Sequence, residues 1–584
     1  MLTRIRFARS LGFVLVIALS LAYSTIASAD PGPLKKTFIA DARHFALIEP
    51  GADRDATFGD GIEATASGSD NSFSARAARG APRNTQINDP NTDYILTFPG
   101  TRPFEFSTQS ETSIARAGSN LVVGFNSSAG AHVVSIGGSL FFDRIQFSGV
   151  ASSQDGGKTW TSGFVPTAGG DTGTFGDPSL VADRAGNFYY ASLGEQPTTF
   201  NGALIVNKST DGGRTFGTAR VVAVDNGSDK EWLAVGRDPQ NKSQDNLYLV
   251  WTSFGTASSE LRFTRSTDGG ATWSAQKTIF APVDNGVMSS FVQFANPVVD
   301  PENGRLYVPF LHFSNSDADA VRVLVSNDGG ATFSFLAFNE PGAVDANAHM
   351  VVSPGTLVDC GRGAGGFRLV LRSGPNIGGG RFGLPRYTHA TRLVTQPAAA
   401  VIDGTFAMAI NSSTSPSFGD PASGSRIDLL FSRNGGASWK TATVAASTAA
   451  DPQHVHPAVT MDDAGNITVA YYVQQANGDL RVDSATGTLG AGNVNFKRQQ
   501  VSNTTFGLAP SMFPIPSATN PFRTTNYDRI IQPCYSLGEY MSITGGDDVR
   551  ASWGDSRNPW TSPAGSPAAG THPQADVFFA NLED

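Results

Sequence analysis

The sequence predicts an all-β fold, a ring of four-stranded antiparallel sheets, and two observations carry that reading. The first is an eight-residue stretch written five times: SQDGGKTW (Ser153–Trp160), STDGGRTF (Ser209–Phe216), STDGGATW (Ser266–Trp273), SNDGGATF (Ser326–Phe333) and SRNGGASW (Ser432–Trp439). A motif that recurs at intervals of roughly 50 to 60 residues signals a repeat architecture. The second is what surrounds each copy. Around Asp211 the chain reads DPSLVAD (Asp177–Asp183), a Gly-Asn turn, NFYYASL (Asn187–Leu193), ALIVNKS (Ala203–Ser209), the motif, and TFGTARVV (Thr215–Val222). These are four strands, with the motif turning the third into the fourth. Radial repetition of such sheets makes a β-propeller.

Composition agrees. Of 584 residues only 16% are charged and 64 are Gly, a balance that suits short strands and tight turns better than helical bundles. The formal charge of −9 argues against a nucleic-acid or anionic-membrane partner.

The start of each innermost strand gives the blade count. These starts are Glu111 (ETSIA), Asp177 (DPSLV), Glu231 (EWLAV), Asn296 (NPVVD), Gln396 (QPAAA), His456 (HPAVT) and Glu539 (EYMSI). They favour seven blades; six or eight stay open because residues 343–392 are hard to place. The last blade, ending in ADVFFANL, leaves its fourth strand unassigned, and an N-terminal strand such as Asp93–Phe98 could close the ring.

Three further segments complete the expected organisation. Arg4, Arg6 and Arg9 precede the apolar run LGFVLVIALSLA, and Ala27-Ser28-Ala29 forms a cleavage site. Residues 1–29 therefore read as a signal peptide and the chain as secreted or periplasmic, without a membrane span. Residues 30–90 read as a poorly ordered arm, and 91–584 as the propeller, with long insertions at 343–392 and 501–537. Export puts the only two cysteines in an oxidising compartment, and a disulfide between Cys360 and Cys534 is expected.

The motif S-x-D-x-G-x-[TS]-[WF] is similar to the Asp-box, or BNR repeat, of bacterial sialidases and of related propellers that are not sialidases. That resemblance implies a structural role for Asp155, Asp211, Asp268, Asp328 and Asn434, remote from any active site. Because strands alternate in direction, the boxes lie opposite the seven inner-strand starts. Those starts form a mostly acidic ring, suited to acid/base work or to cation binding, since like charges push pKa values apart. Capping of strand ends is the plainer role for each residue.

Sialidases of the resembled family use an arginine triad, a Tyr–Glu nucleophile pair and an Asp acid/base. The resemblance implies catalytic candidates at Glu231, Tyr540, Asp177 and Glu539. Glu539 and Tyr540 are neighbours, and strand neighbours point to opposite faces, so Tyr540 needs a partner from another blade, with Glu231 the choice. Arg381, Arg386, Tyr387 and His389 in one insertion, and Arg523, Tyr527, Asp528 and Arg529 in the other, fit binding of an anionic sugar, because a guanidinium matches a carboxylate. His456 joins them as a substrate-binding candidate. The family's early Arg lies in [FY]-R-I-P; here Arg102 lies in GTRPFEF, with no aromatic before it.

The function expected first is a secreted, sialidase-like glycoside hydrolase acting on an acidic glycan. The alternatives are a non-catalytic propeller that binds glycan or protein, and a polysaccharide lyase with His456 or His389 as base. No zinc, Walker or nucleophile-elbow motif is present. No cofactor or metal is expected beyond a structural cation such as calcium, for which Ser314–Ala320 is a weak candidate. The expected assembly is a monomer.

Overall fold

The computed structural model describes residues 81–98, 103–136, 139–255, 259–282, 291–313, 319–336, 350–352, 370–372, 396–413, 424–490, 494–507, 514–515, 523–524, 537–546, 548–566 and 569–583. They form seven antiparallel blades. Their inner strands are Gln109–Ala117, Thr174–Ala182, Ser228–Arg237, the split pair Phe291–Gln293 and Val298–Val299, Ala398–Ile402, Gln453–Met461 and Ser542–Thr544. Blade 2 follows the sequence reading: Thr174–Ala182 pairs with Phe188–Glu195, that strand with Gly202–Ser209, and the last with Arg220–Val224.

Each blade is covered on both faces by its neighbours, which is why its strands are apolar on both sides. Adjacent residues Tyr189 and Tyr190 are both fully buried, the first against blade 3 and the second against blade 1. The box aromatics fill the same seams. Trp160 packs on Phe579 of blade 7 with ring centroids 4.9 Å apart, and Phe333 meets Phe263 of blade 3 edge-on at 5.1 Å.

The ring closes differently from the sequence expectation. The fourth strand of blade 7 is Asn84–Gln86, which pairs with Phe578–Ala580. The expected closing strand does not do this: its Tyr94–Leu96 portion pairs instead with Phe104–Phe106. The boundary drawn at residue 90 is therefore too late. Three residues without apolar alternation carry no strand signal of their own. What holds them is polar: Asn84 Nδ2 donates to Val501 O at 2.8 Å, and Asn84 Oδ1 accepts from Asn503 N at 2.7 Å and Arg557 Nη2 at 3.0 Å.

The boxes are built alike. In the third, Ser266 Oγ donates to Asp268 Oδ1 and accepts from Gly270 N, while Asp268 takes the backbone N–H of Thr272 at 2.8 Å and its hydroxyl at 2.6 Å. The second Gly is required twice over. Gly213 has φ +87°, and a Cβ there would lie 2.2 Å from Val122 of the preceding blade; Gly330, at φ +84°, would strike Phe263 at 2.3 Å. Side chains of one blade also reach the next box. Gln154 donates to Gly212 O, Lys208 to Gly269 O and Arg305 to Gly435 O, each at 2.9 Å.

Candidate functional site

Four inner strands carry the same irregularity. The ladder slips by one residue between Ser110 and Ser113, Gly176 and Ser179, Asp229 and Trp232, and Val455 and Ala458. At each slip one residue takes a left-handed backbone: Glu111 (φ 54°), Asp177 (φ 55°), Lys230 (φ 49°) and His456 (φ 52°). Such bulges re-aim side chains, and strained non-Gly positions of this kind gather at functional centres. The register equates Glu111 and Asp177 with Lys230, so the residue chosen from sequence in blade 3, Glu231, is one position late.

That shift places a cation where the sequence reading saw only acids. Lys230 Nζ lies 3.0 Å from Glu539 Oε2, 3.2 Å from Glu111 Oε2 and 3.3 Å from Asp177 Oδ1, joining blades 1, 2, 3 and 7. It also sits 4.9 Å from the centre of the Tyr540 ring. Asn126 ties two of the acids together, donating to Glu111 Oε2 at 2.9 Å and accepting from Asp177 N at 2.8 Å. Glu111 Oε1 accepts from Glu539 N at 3.0 Å, and Gln293 donates to Asp229 Oδ2 at 2.9 Å.

The cluster is closed to water; the Lys230 side chain is 4% exposed and Tyr540 3%. Burial alone would lower the Lys230 ammonium, but Asp177, Glu111 and Glu539 together hold it well above its ordinary value. Burial raises the Asp177 carboxyl, and Lys230 opposes that rise. Glu231 is different. Neither of its buried carboxyl oxygens has a hydrogen-bond partner, and burial, reinforced by Asp177, pushes its pKa well above the usual carboxylate range. An ionised carboxylate so placed costs far more than a protonated one, which favours the protonated form of Glu231.

Glu539 and Tyr540 depart from the expected geometry. The inner strand of blade 7 begins at Ser542, so strand alternation does not apply to them, and both face Lys230. The Tyr540 hydroxyl donates to Pro178 O at 3.2 Å, and its ring meets Trp232 edge-on at 5.0 Å. Burial, with Glu111, Asp177 and Glu231 nearby, raises the phenol well above its ordinary value and keeps it protonated.

The other strand starts are also buried. Asn296 staples two blades, its Oδ1 accepting from Ala399 N at 3.0 Å. Ser113 and Ser179 do the same for Leu180 N and Leu233 N, which places Asn296 two positions beyond the mouth residues. His456 lies edge-on to Tyr472, and Gln396 lines the central channel, whose volume is about 390 Å³. The channel wall includes Ser113, Trp232, Met461 and Met541, all beyond the bulges toward the box face.

Arg381, Arg386, Tyr387, His389, Tyr527, Asp528, Arg529, Arg102, Cys360 and Cys534 lie outside the described residues, as does most of the Ser314–Ala320 loop. Arg523 is described only as backbone, in a short strand with Thr524 opposite Pro514–Ile515. Among the described residues no group of three or more His, Cys, Asp or Glu side chains is arranged to hold a metal ion. Sequence reasoning missed Lys230 and Asn126. The signal for Lys230 was available, because aligning the two residues that precede the repeated inner-strand register puts it under Glu111 and Asp177.

No family model matches the chain, and no curated protein matches it. Solved structures that match include Trypanosoma rangeli sialidase in complex with sialic acid, at 12% identity and TM-score 0.37, over 86% of this chain and 60% of that one. The Hadza microbial sialidase Hz136 matches at 12% identity and TM-score 0.37, over 76% of each chain. A Dyadobacter fermentans protein of unknown function matches at 11% identity and TM-score 0.36, over 71% of this chain and 97% of that one. The chain thus spans about three-fifths of the trypanosomal protein. At these values the comparisons carry no argument about activity.

Proposed function

We propose that the chain is an exported, glycan-acting propeller that engages an acidic glycan on the face where the inner strands begin. The five Asp-boxes support the class, and the Arg- and Tyr-bearing insertions support an anionic sugar. The observation that carries hydrolysis is Glu231: a buried carboxyl without a partner oxygen or nitrogen, its protonated form favoured by burial, beside four further carboxyls and one ammonium. A carboxyl held in that state is what a glycosidase needs to protonate a departing glycosidic oxygen. For turnover the substrate must reach it, so the buried surroundings of Glu231 must open on binding.

A second reading, binding without turnover, is favoured by a different observation. Lys230 is committed to Glu111, Asp177 and Glu539, and the Tyr540 hydroxyl to Pro178 O, which is how a structural hub is built. One experiment separates the readings. The purified protein is incubated with a glycan panel that includes sialic-acid-terminated and uronate-containing chains, and released sugars, unsaturated products and binding are measured together. Free acidic sugar from the parent, lost in Glu231→Gln, supports hydrolysis. Binding alone supports the second reading, and unsaturated uronate products overturn both in favour of lyase chemistry.

A further inference from the structure

Blade 7 has a strand that runs past its own blade. Its second strand, Arg550–Ser562, has 13 residues, where those of the other blades have 8 to 10. Ser542–Thr544 pairs with Arg550–Ser552, and Gly554 lies against Leu537 O, the carbonyl that accepts from Glu111 N. The strand has therefore reached the level of the mouth by Gly554. It continues to Ser562 and returns from Gly570, so Trp560 stands about 20 Å beyond the inner-strand starts, at about 3.3 Å per residue.

Trp560 is not a core residue. Its indole is partly exposed and, among the described residues, joins none of the apolar clusters between blades, whereas Trp160 and Trp273, also partly exposed, pack on the cores of their seams. Its fixing is polar. Nε1 donates to Glu105 Oε2 at 2.8 Å, and Ser562 Oγ donates to the same oxygen. Glu105 is fully buried, on the Phe104–Phe106 strand that pairs with Tyr94–Leu96. The indole's one donor is thereby satisfied and its orientation set, while its apolar ring is left outside the cores.

The surroundings decide what fits. From Asn558 to Thr571 the hairpin reads NPWTSPAGSPAAGT, without a charged residue, and Arg557 just before it is paired with Asp555. An acidic sugar finds no counter-ion along that stretch. A protein or lipid partner needs a contiguous apolar patch, which the exposed neighbours Pro559, Thr561 and Thr571 do not supply. A pyranose needs less: one rigid aromatic face for its C–H bonds, with water at the edge for its hydroxyls. An indole whose N–H is already committed offers that face at low cost in side-chain entropy.

We propose that Trp560 is a stacking subsite for a neutral pyranose residue of an extended acidic glycan, held in place by Glu105. The inference rests on the reading of the mouth face as the glycan face. About 20 Å separates the indole from the inner-strand starts, so a monosaccharide bound at the mouth does not reach it and an oligosaccharide does. The subsite therefore confers a preference for chain length. It acts on binding and has no part in bond cleavage.

Titration calorimetry of the full chain tests this with a sialic-acid-terminated pentasaccharide, a uronate-containing hexasaccharide and the two free acidic sugars. The parent is expected to bind one oligosaccharide more tightly than its monosaccharide. Trp560→Ala is expected to lose about ten-fold in affinity for that oligosaccharide, the scale of one stacked aromatic face, and nothing for the monosaccharide. Trp560→Phe, which keeps a ring, should lose less. Hydroxyl-radical footprinting of the parent gives a readout that needs no variant: bound oligosaccharide should shield Trp560 and leave Trp273 as reactive as before. Equal oligosaccharide affinity in parent and Trp560→Ala, or no shielding in the parent, overturns the subsite and leaves the glycan reading standing. A parent that binds none of the four sugars overturns that reading, and the subsite with it.

Discussion

Lys230 Nζ lies 3.0 Å from Glu539 Oε2, linking blade 3 to blade 7. The contact joins residues more than 300 positions apart in sequence and places one positive charge among five carboxyls: Glu111, Asp177, Asp229, Glu231 and Glu539. Taking two charges out of water is costly, and their attraction repays it only when further bonds complete the geometry, as Asn126 and the Glu539 backbone do here.

Removing that cation leaves the acids uncompensated. Lys230→Met is expected to cost about 3–5 kcal/mol, the range for breaking a buried pair, read from the urea midpoint at pH 7.5. The loss should shrink when unfolding is measured at lower pH, where protonation of the acids removes the uncompensated charge. A variant as stable as the parent at pH 7.5 would remove Lys230 from the centre of this account.

Glu231 gives a different pH signature. Its folded-state pKa is raised by burial, so its contribution is complete below the ordinary carboxylate value and is lost as pH rises. Glu231→Gln stays neutral throughout. Thermal unfolding should therefore show the variant at least as stable as the parent at pH 8, with the difference narrowing toward about pH 4. A variant destabilised equally at both pH values would mean that Glu231 is ionised in the fold.

The boxes titrate in the opposite sense. Hydrogen bonds from Thr272 and Ser266 lower Asp268 to about 2, so its stabilisation is present above the ordinary Asp value and is lost as pH falls through about 2. Asp268→Ala is expected to cost about 1 kcal/mol at pH 7, the side chain being exposed, with glycan binding unchanged. Asn434, which makes the same turn without a charge, donates to Ser438 Oγ, and Asn434→Ala should show a loss independent of pH. Chemical denaturation at pH 3 and pH 7 compares the two.

Asn84 holds the ring shut through bonds to Val501, Asn503 and Arg557. Asn84→Ala is expected to lose about 2 kcal/mol and to raise protease cleavage near the closing strand. Cleavage unchanged from the parent would show that Asn84–Gln86 is held by its backbone ladder alone.

The sequence by itself determined the repeat, the four-strand blade and the box turn, and it favoured seven blades without excluding six or eight. Each depends on contacts within about 60 residues or on a motif that every blade must repeat, and the second Gly of the box is demanded locally by its positive φ. Tertiary structure decided which residues meet at the axis and how the ring closes. A one-residue bulge changes which side chain faces inward, so Lys230 replaced Glu231 at the mouth, and no local pattern reports such a slip. The closing strand is three residues long and fixed by bonds to residues more than 400 positions away, such as Val501. Periodicity is a property of a segment, whereas closure and the buried charge cluster are properties of the whole ring, where the cost of desolvating an acid is settled only by the partner that another blade brings to it.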